Sequence, residues 1–181
     1  MMKSSERKER SVYQLKKIGL LLAAWLFFSI GTGFAAASAK AGQGDSTAGI
    51  GFGSQGNTYF FEMKPQDDWA VGVHYFNQNS LDMTDLYGQF NLADNHFKAI
   101  IGNRIFGSTA DSRVYIGASI SGKLSSDWVG YTSLIGGDRF QELQLGATYK
   151  VTDHYGLNFN YRSLKYEGDK SNLDVGLVFN F

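Results

Sequence analysis

The chain has 181 residues, of which 43% are hydrophobic and 15% aromatic, and its formal net charge is zero. This length suits one domain with enough apolar surface to fold. Past Ala39 there are 11 basic and 15 acidic residues, a net charge of −4, without the clustered Lys and Arg that phosphates require. The chain has no cysteine. Nucleic acid is therefore disfavoured as a partner, and disulfides and cysteine chemistry are excluded.

The first 39 residues have the three parts of a secretory signal peptide. Residues 1–17 are basic, 18–34 (IGLLLAAWLFFSIGTGF) are apolar, and 35–39 (AAASA) are small. We predict export and cleavage after Ala37 or Ala39, and the second cut is favoured because Lys40 and a polar stretch follow. The alternative is an uncleaved inner-membrane anchor, since the apolar run approaches the roughly 17 residues that just span a bilayer. Residues 40–46 are predicted to be a short polar segment and 47–181 the folded domain.

From residue 47 onward the chain alternates between apolar and polar residues with a period of two, which is typical of strands with one apolar face. Around Asp174, for example, Leu173, Val175 and Leu177 form the apolar set. About ten such segments follow one another, near residues 48–52, 59–63, 69–75, 86–92, 99–105, 114–120, 128–135, 143–151, 155–161 and 173–181. The phase of 128–135 is not evident. An even number lets an up-and-down barrel close with both ends on one side, and eight strands remain possible.

Four connections share a pattern in which Asp or Asn precedes an aromatic residue that opens the next strand. They are Gln66–Trp69, Asp94–Phe97, Ser126–Trp128 and Thr152–Tyr155, recurring every 26 to 32 residues. This recurrence predicts two-strand units joined by tight turns, which we place on the periplasmic side. The other connections (54–57, 77–84, 107–112, 136–140 and 165–171) are placed outside. Their acids could hold divalent cations against lipid headgroups: Asp82, Asp85, Asp111, Asp138 and Asp169.

Alternation does not say which face points inward, because a soluble barrel buries the apolar face that a membrane barrel presents to lipid. Three features favour the membrane version. Aromatic residues stand at strand ends, as in interfacial girdles, namely Trp69, Trp128, Tyr155 and Phe181. Charged residues lie mid-strand on the polar face, and the last strand runs to the final residue. The predicted fold is all-β, a single antiparallel up-and-down transmembrane β-barrel.

The closing segments, Tyr155–Tyr166 and Leu173–Phe181, resemble the end of small bacterial outer-membrane β-barrel proteins. This resemblance implies a monomer in the outer membrane of a double-membraned bacterium. It also implies contact with lipid and with the export and barrel-assembly machinery, which would recognise Phe181 as an assembly signal. In length and in its Tyr-Arg-x-Leu-Lys-Tyr hairpin (161–166) the chain is most similar to YfaZ-type outer-membrane proteins, a group sometimes labelled as porins.

The charged residues of the polar face would line the lumen, and they support two interpretations. In the first, a narrow porin-like channel favours anions through lysines at its periplasmic mouth. In the second, which we favour, the barrel is structural and its arginines pair with its acids because an unpaired buried charge is costly. The predicted lining residues are Glu62, Lys64, Lys98, Arg104, Arg113, Lys123, Glu142, Lys150, Arg162 and Asp174. The predicted pairing joins Arg104, Arg113 and Arg162 with Glu62, Glu142 and Asp174.

Catalysis has little support in the sequence. The three histidines, His74, His96 and His154, are widely spaced, and two of them occupy the repeated turns. We therefore predict no enzyme activity, no cofactor and no metal site. Two alternatives remain open: a soluble periplasmic β-barrel that binds a small apolar ligand, and a lipid-modifying barrel enzyme that would depend on His74.

Overall fold

The computed structural model describes residues 44–78, 81–93, 96–107 and 111–181. The predicted signal peptide and residues 40–43 lie outside the described residues. In the described ranges, no helical segment has both the length and the apolar character needed to cross a bilayer. The strands are β1 (Ser46–Gly53), β2 (Asn57–Gln66), β3 (Trp69–Gln78), β4 (Leu81–Ala93), β5 (Phe97–Phe106), β6 (Asp111–Lys123), β7 (Trp128–Gly137), β8 (Phe140–Lys150), β9 (Tyr155–Lys165) and β10 (Asp169–Asn180).

These strands form one closed barrel in which each pairs antiparallel with the next. The barrel closes between β1 and β10, where Gly51 lies opposite Gly176. Ten strands confirm the larger of the two predicted numbers. The strands are 8 to 13 residues long, which brackets the roughly 9–11 residues that a tilted strand needs to cross a bilayer.

The outer wall of the barrel is apolar and the inner wall carries the polar residues of the alternating pattern. On β10, Leu173, Val175 and Leu177 are 61%, 47% and 44% exposed, whereas Asn172 and Asp174 are each 3% exposed. A water-soluble barrel has the opposite arrangement, because it buries its apolar side chains at its centre. The predicted orientation is confirmed, and the alternative of a soluble ligand-binding barrel is wrong.

The predicted turns at Gln66–Trp69, Ser126–Trp128 and Thr152–Tyr155 lie at one end of the barrel together with the start of β1 and the end of β10, and we call it the terminal end. Asp94 and Asn95 of the fourth predicted turn lie outside the described residues. The aromatic residue of each predicted turn is the first residue of β3, β5, β7 or β9, as predicted. On the outer wall near this end, the Trp128 ring lies 5.2 Å from that of Tyr149 and 5.9 Å from that of Phe159. Phe181 is exposed and exchanges two backbone hydrogen bonds with Ser46. Such clusters suit the interface between lipid and water.

At the opposite end, which we call the loop end, the strands extend further than the sequence predicts. Residues 77–84 were expected to form a loop, but β3 continues to Gln78 and β4 starts at Leu81. Likewise β6 starts at Asp111 and β10 at Asp169. The polar residues at these strand ends were expected to form loops. The antiparallel ladder nevertheless continues through them, because its hydrogen bonds join backbone atoms whatever the side chains are.

The acids placed on outer loops are therefore not a group of free loop carboxylates. Asp85 is an inward residue of β4 and is fully buried. Asp111 and Asp138 both contact Arg113, at 2.6 and 3.7 Å. The predicted role in holding divalent cations is wrong for Asp85, which never reaches the surface.

The phase of β7, which the sequence leaves open, is settled by its pairing with β8. Tyr131, Ser133 and Ile135 are buried and face inward, and Leu134 is exposed on the outer wall. Both faces of this strand carry bulky apolar residues, which is why alternation alone does not reveal its orientation.

Tyrosine rings on the inner wall cover glycines on the paired strand. A Cβ atom at Gly72, Gly102 or Gly146 would lie 2.4 Å from the ring of Tyr87, Tyr115 or Tyr131, respectively, and each glycine is directly opposite its tyrosine. The glycines thus provide room for large rings to lie against the wall of a narrow barrel.

The closing seam contains an equally close approach, but to backbone, because a Cβ at Gly176 would lie 2.4 Å from the backbone oxygen of Ile50. Backbone cannot rotate away, so we expect Gly176→Ala to lower the free energy of unfolding by about 1–3 kcal/mol. Urea titration of the folded protein in detergent, followed by heat-modifiable migration on a gel, measures this loss. Gly122→Ala is the control, since a Cβ there has no neighbour within 4 Å. Equal midpoints for the two variants would contradict the expectation.

Candidate functional site

The centre of the barrel contains a buried ion pair built around Arg104 of β5. Its Nε and Nη2 atoms donate to the two carboxylate oxygens of Asp85 on β4, at 2.7 Å each. Its Nη1 atom donates across the barrel to Oε2 of Glu142 on β8, at 2.8 Å. All three side chains are fully buried. The guanidinium of Arg104 thus links β4 to β8, which lie four strands apart around the barrel.

The network continues from Glu142 to the far wall. Gln144 Nε2 donates to Glu142 Oε1 at 2.7 Å, and Arg162 Nε of β9 lies 3.5 Å from the same oxygen. Arg162 Nη2 lies 3.3 Å from Nε2 of His74 on β3. We call Asp85, Arg104, Glu142, Arg162 and His74 the central network. Its two arginines balance its two carboxylates, as the cost of burying an unpaired charge requires.

Aromatic rings support both arginines from the side of the loop end. The guanidinium carbon of Arg104 lies 4.9 Å from the ring centre of Phe76 and 4.8 Å from that of Phe140. That of Arg162 lies 3.9 Å from Phe76. These distances are within the range of cation–π attraction. They hold the charged groups in place without adding further polar atoms.

Toward the loop end the interior is apolar, and the prediction of a polar lining is wrong there. The stacked rings of Phe106 and Tyr166, 4.1 Å apart, lie at the centre of this region. Its buried members are Phe76, Leu81, Met83, Tyr87, Ile100, Phe106, Tyr115, Ile135, Phe140, Leu164 and Tyr166. In the alternating pattern, Phe76 and Tyr115 share the polar face of their strands. Their presence on that face was the evidence in the sequence for an apolar region inside the barrel.

Toward the terminal end the inner wall is polar. Glu62 accepts hydrogen bonds from Tyr87 Oη at 3.0 Å and from Gln89 Nε2 at 2.8 Å. Within the described ranges it forms no ion pair with Arg104, Arg113 or Arg162, so the predicted pairing is not seen there. The four predicted lysines lie at different depths: Lys98 is buried, Lys64 and Lys150 are half-buried, and Lys123 is exposed. Lys150 also contacts Asp153 of the adjacent turn.

The remaining predicted charges have other partners than those expected. Arg113 does not join the central network, since it lies at the loop end and donates to Asp111 Oδ2 at 2.6 Å and to the backbone oxygen of Asp138 at 2.8 Å. Asp174 accepts from Asn160 Nδ2 at 3.0 Å. Asp85 was missed as an interior residue because it was placed in a loop, although it shares the inward phase of Tyr87 and Gln89.

Each of the three histidine rings has a nitrogen within hydrogen-bonding distance of another residue. His74 belongs to the central network, His96 Nδ1 lies 2.8 Å from the Ser121 oxygen, and His154 Nδ1 lies 3.2 Å from the Asn180 oxygen. Among the described residues, His, Asp and Glu side chains do not gather in a group of three that could hold a metal ion.

An apolar outer wall, aromatic residues at its terminal end and ion pairs inside together define a transmembrane β-barrel. No protein-family model and no curated protein matches the sequence. Solved structures with a similar arrangement include a de novo designed transmembrane β-barrel (13% identity, 78% of this chain and 98% of that chain, TM-score 0.43). They also include the N-terminal β-barrel domain of Pseudomonas aeruginosa OprF (13%, 77% and 99%, 0.40) and the KdgM porin in complex with disordered oligogalacturonate (10%, 76% and 99%, 0.45). At these TM-scores the likenesses say nothing about function.

Proposed function

We propose that the protein is an integral outer-membrane β-barrel with a structural role, whose interior is closed to solutes. The observation that carries this proposal is the central network, in which Arg104 joins Asp85 to Glu142 across the lumen with all three side chains fully buried. The apolar group at the loop end adds a second obstruction on the same axis. Side chains just fill the interior of an eight-stranded barrel, and ten strands enclose only a little more space.

A narrow pore that favours anions is the second candidate. It is supported by the inward lysines near the terminal end, of which Lys98 is buried and Lys123 is exposed. Rings of basic side chains raise the local concentration of anions. For this candidate to conduct, the central network would have to leave a path beside it.

The membrane location, partners and family remain part of the proposal. The exposed apolar wall suits contact with lipid, and the aromatic clusters at Trp128 and Tyr155 suit an interface. Insertion by the barrel-assembly machinery, a monomeric state and membership of the YfaZ-type group stay predictions. Fractionation of bacterial membranes tests the location: the heat-modifiable protein should be recovered with the outer membrane.

Planar-bilayer recording separates the two candidates. For purified folded protein we expect no conductance steps above baseline, because buried ion pairs and packed rings block the lumen. An open porin reconstituted in parallel controls for insertion. Steps whose reversal potential shows anion preference, reduced in Lys98→Gln, would instead support the narrow pore and contradict the closed barrel.

A further inference from the structure

A small cavity lined by both polar and apolar side chains lies inside the barrel on the side of the closing seam. The volume open to the centres of water molecules is about 20 Å³, which holds one or two waters. Residues that line it include Gly51 of β1, Thr58 of β2, Asn160 of β9 and Asp174 of β10. Gly51 leaves the space open, because a Cβ there would lie 3.0 Å from Asp174 Oδ1.

Three oxygen-bearing side chains of this cavity are short of donors. Asp174 is 3% exposed, accepts one hydrogen bond, from Asn160, and forms no ion pair within 4 Å among the described residues. Asn160 Oδ1 and Thr58 Oγ1 are buried and have no hydrogen-bond partner within the described chain, with Asn160 5% and Thr58 7% exposed. Buried acceptors without a partner cost free energy, and a buried carboxylate costs more.

The positive charge of Arg162 acts on Asp174, but it is shared with the central network. Arg162 lines the same cavity, but its guanidinium lies near Glu142 and His74 and over the ring of Phe76. Within the central network the two arginines already balance Asp85 and Glu142. Asp174 therefore adds one negative charge next to two neutral oxygen atoms, which is a set of ligands suited to a hard cation.

We propose that this cavity binds a single small monovalent cation through Asp174, Asn160 Oδ1 and Thr58 Oγ1. One carboxylate matches one positive charge, whereas the affinity of a Ca²⁺ site depends on the number of its charged ligands. A space of one or two waters accommodates one dehydrated ion. The site goes beyond the structural role proposed above, because it needs only the folded barrel and not any conduction through it.

Thermal unfolding in different salts tests the site. The folded protein in zwitterionic detergent is heated in NaCl, KCl or choline chloride at equal ionic strength, and its midpoint is read from heat-modifiable migration. Choline is too large for the cavity. We expect a saturable rise of about 3 °C or more in NaCl or KCl over choline chloride, since a ligand that binds only the folded state stabilises it.

Substitutions at the cavity test whether the rise in the unfolding midpoint comes from this site. Asp174→Asn should abolish the difference between salts, and Asp169→Asn, an exposed acid on the same strand, should retain it. If Asp174→Asn fails to fold, Thr58→Val decides, because it removes one ligand and should reduce the rise. Equal midpoints of the unmodified protein in all three salts, or a full rise in Thr58→Val, would overturn the proposal and leave the cavity occupied by water alone.

Discussion

Replacing Arg104 with methionine should lower the free energy of unfolding by about 3–5 kcal/mol. The side chain would keep much of its volume and lose its charge, and both Asp85 and Glu142 would lose their closest cationic partner in a fully buried region. Removing one member of a buried ion pair costs more free energy than the intact pair contributes to stability, because the remaining charges stay desolvated. Urea titration of the protein folded in lipid vesicles, read by tryptophan fluorescence, measures the loss.

The neighbouring strand provides a matched control. Arg113 lies directly opposite Arg104 in the β5–β6 pair, but its partners Asp111 and Asp138 are exposed. Arg113→Met should therefore cost far less than Arg104→Met, since exposed ion pairs contribute little. Equal losses in the free energy of unfolding for the two variants would contradict the assignment of Arg104 to a buried ion pair.

Replacing Val175 with arginine should lower the free energy of unfolding in lipid vesicles by about 2–4 kcal/mol. Val175 lies in the middle of β10 on the outer wall and is 47% exposed. On a water-soluble protein, a charge at such a surface position changes stability by roughly 0.5 kcal/mol or less. The large loss is expected only if this face contacts hydrocarbon. Folding titrations of the unmodified protein and of Val175→Arg in the same vesicles measure the difference in their free energies of unfolding.

Leu124→Arg provides the comparison, because Leu124 is similarly exposed but lies in the β6–β7 turn at the terminal end. A charge there can reach water, so its cost should be near zero. If Val175→Arg were tolerated as well as Leu124→Arg, the outer wall would not be in the membrane.

Several elements could be predicted from local patterns alone. Alternation with a period of two reports which residues share a face, and on β10 this placed Leu173, Val175 and Leu177 together. The turn chemistry placed the starts of β3 at Trp69 and of β9 at Tyr155, because Asp and Asn favour tight turns next to an aromatic strand start. Arg104, Glu142 and Arg162 were recognised as interior charges on the same basis.

Other features depend on neighbours that are distant in the chain. Asp85 was assigned to a loop because its own surroundings are polar, and only its position opposite Arg104 shows that it is part of a buried ion pair. Phe76 was expected among polar residues, yet it packs on Arg162, which lies 86 residues further along the chain. A local pattern contains no information about which strand faces which across a lumen.

The amino-acid sequence by itself determined which residues share a face on the strands other than β7, and where β3, β5, β7 and β9 begin, because both follow from residues within one hairpin. The number of strands and the phase of β7 were decided by the closed barrel. The tertiary structure alone decided that Arg104 reaches Glu142, that aromatic rings fill the loop end, and that Thr58, Asn160 and Asp174 surround one cavity. The physical reason is closure of the barrel, which brings side chains from separate hairpins to within a few ångströms across a narrow interior.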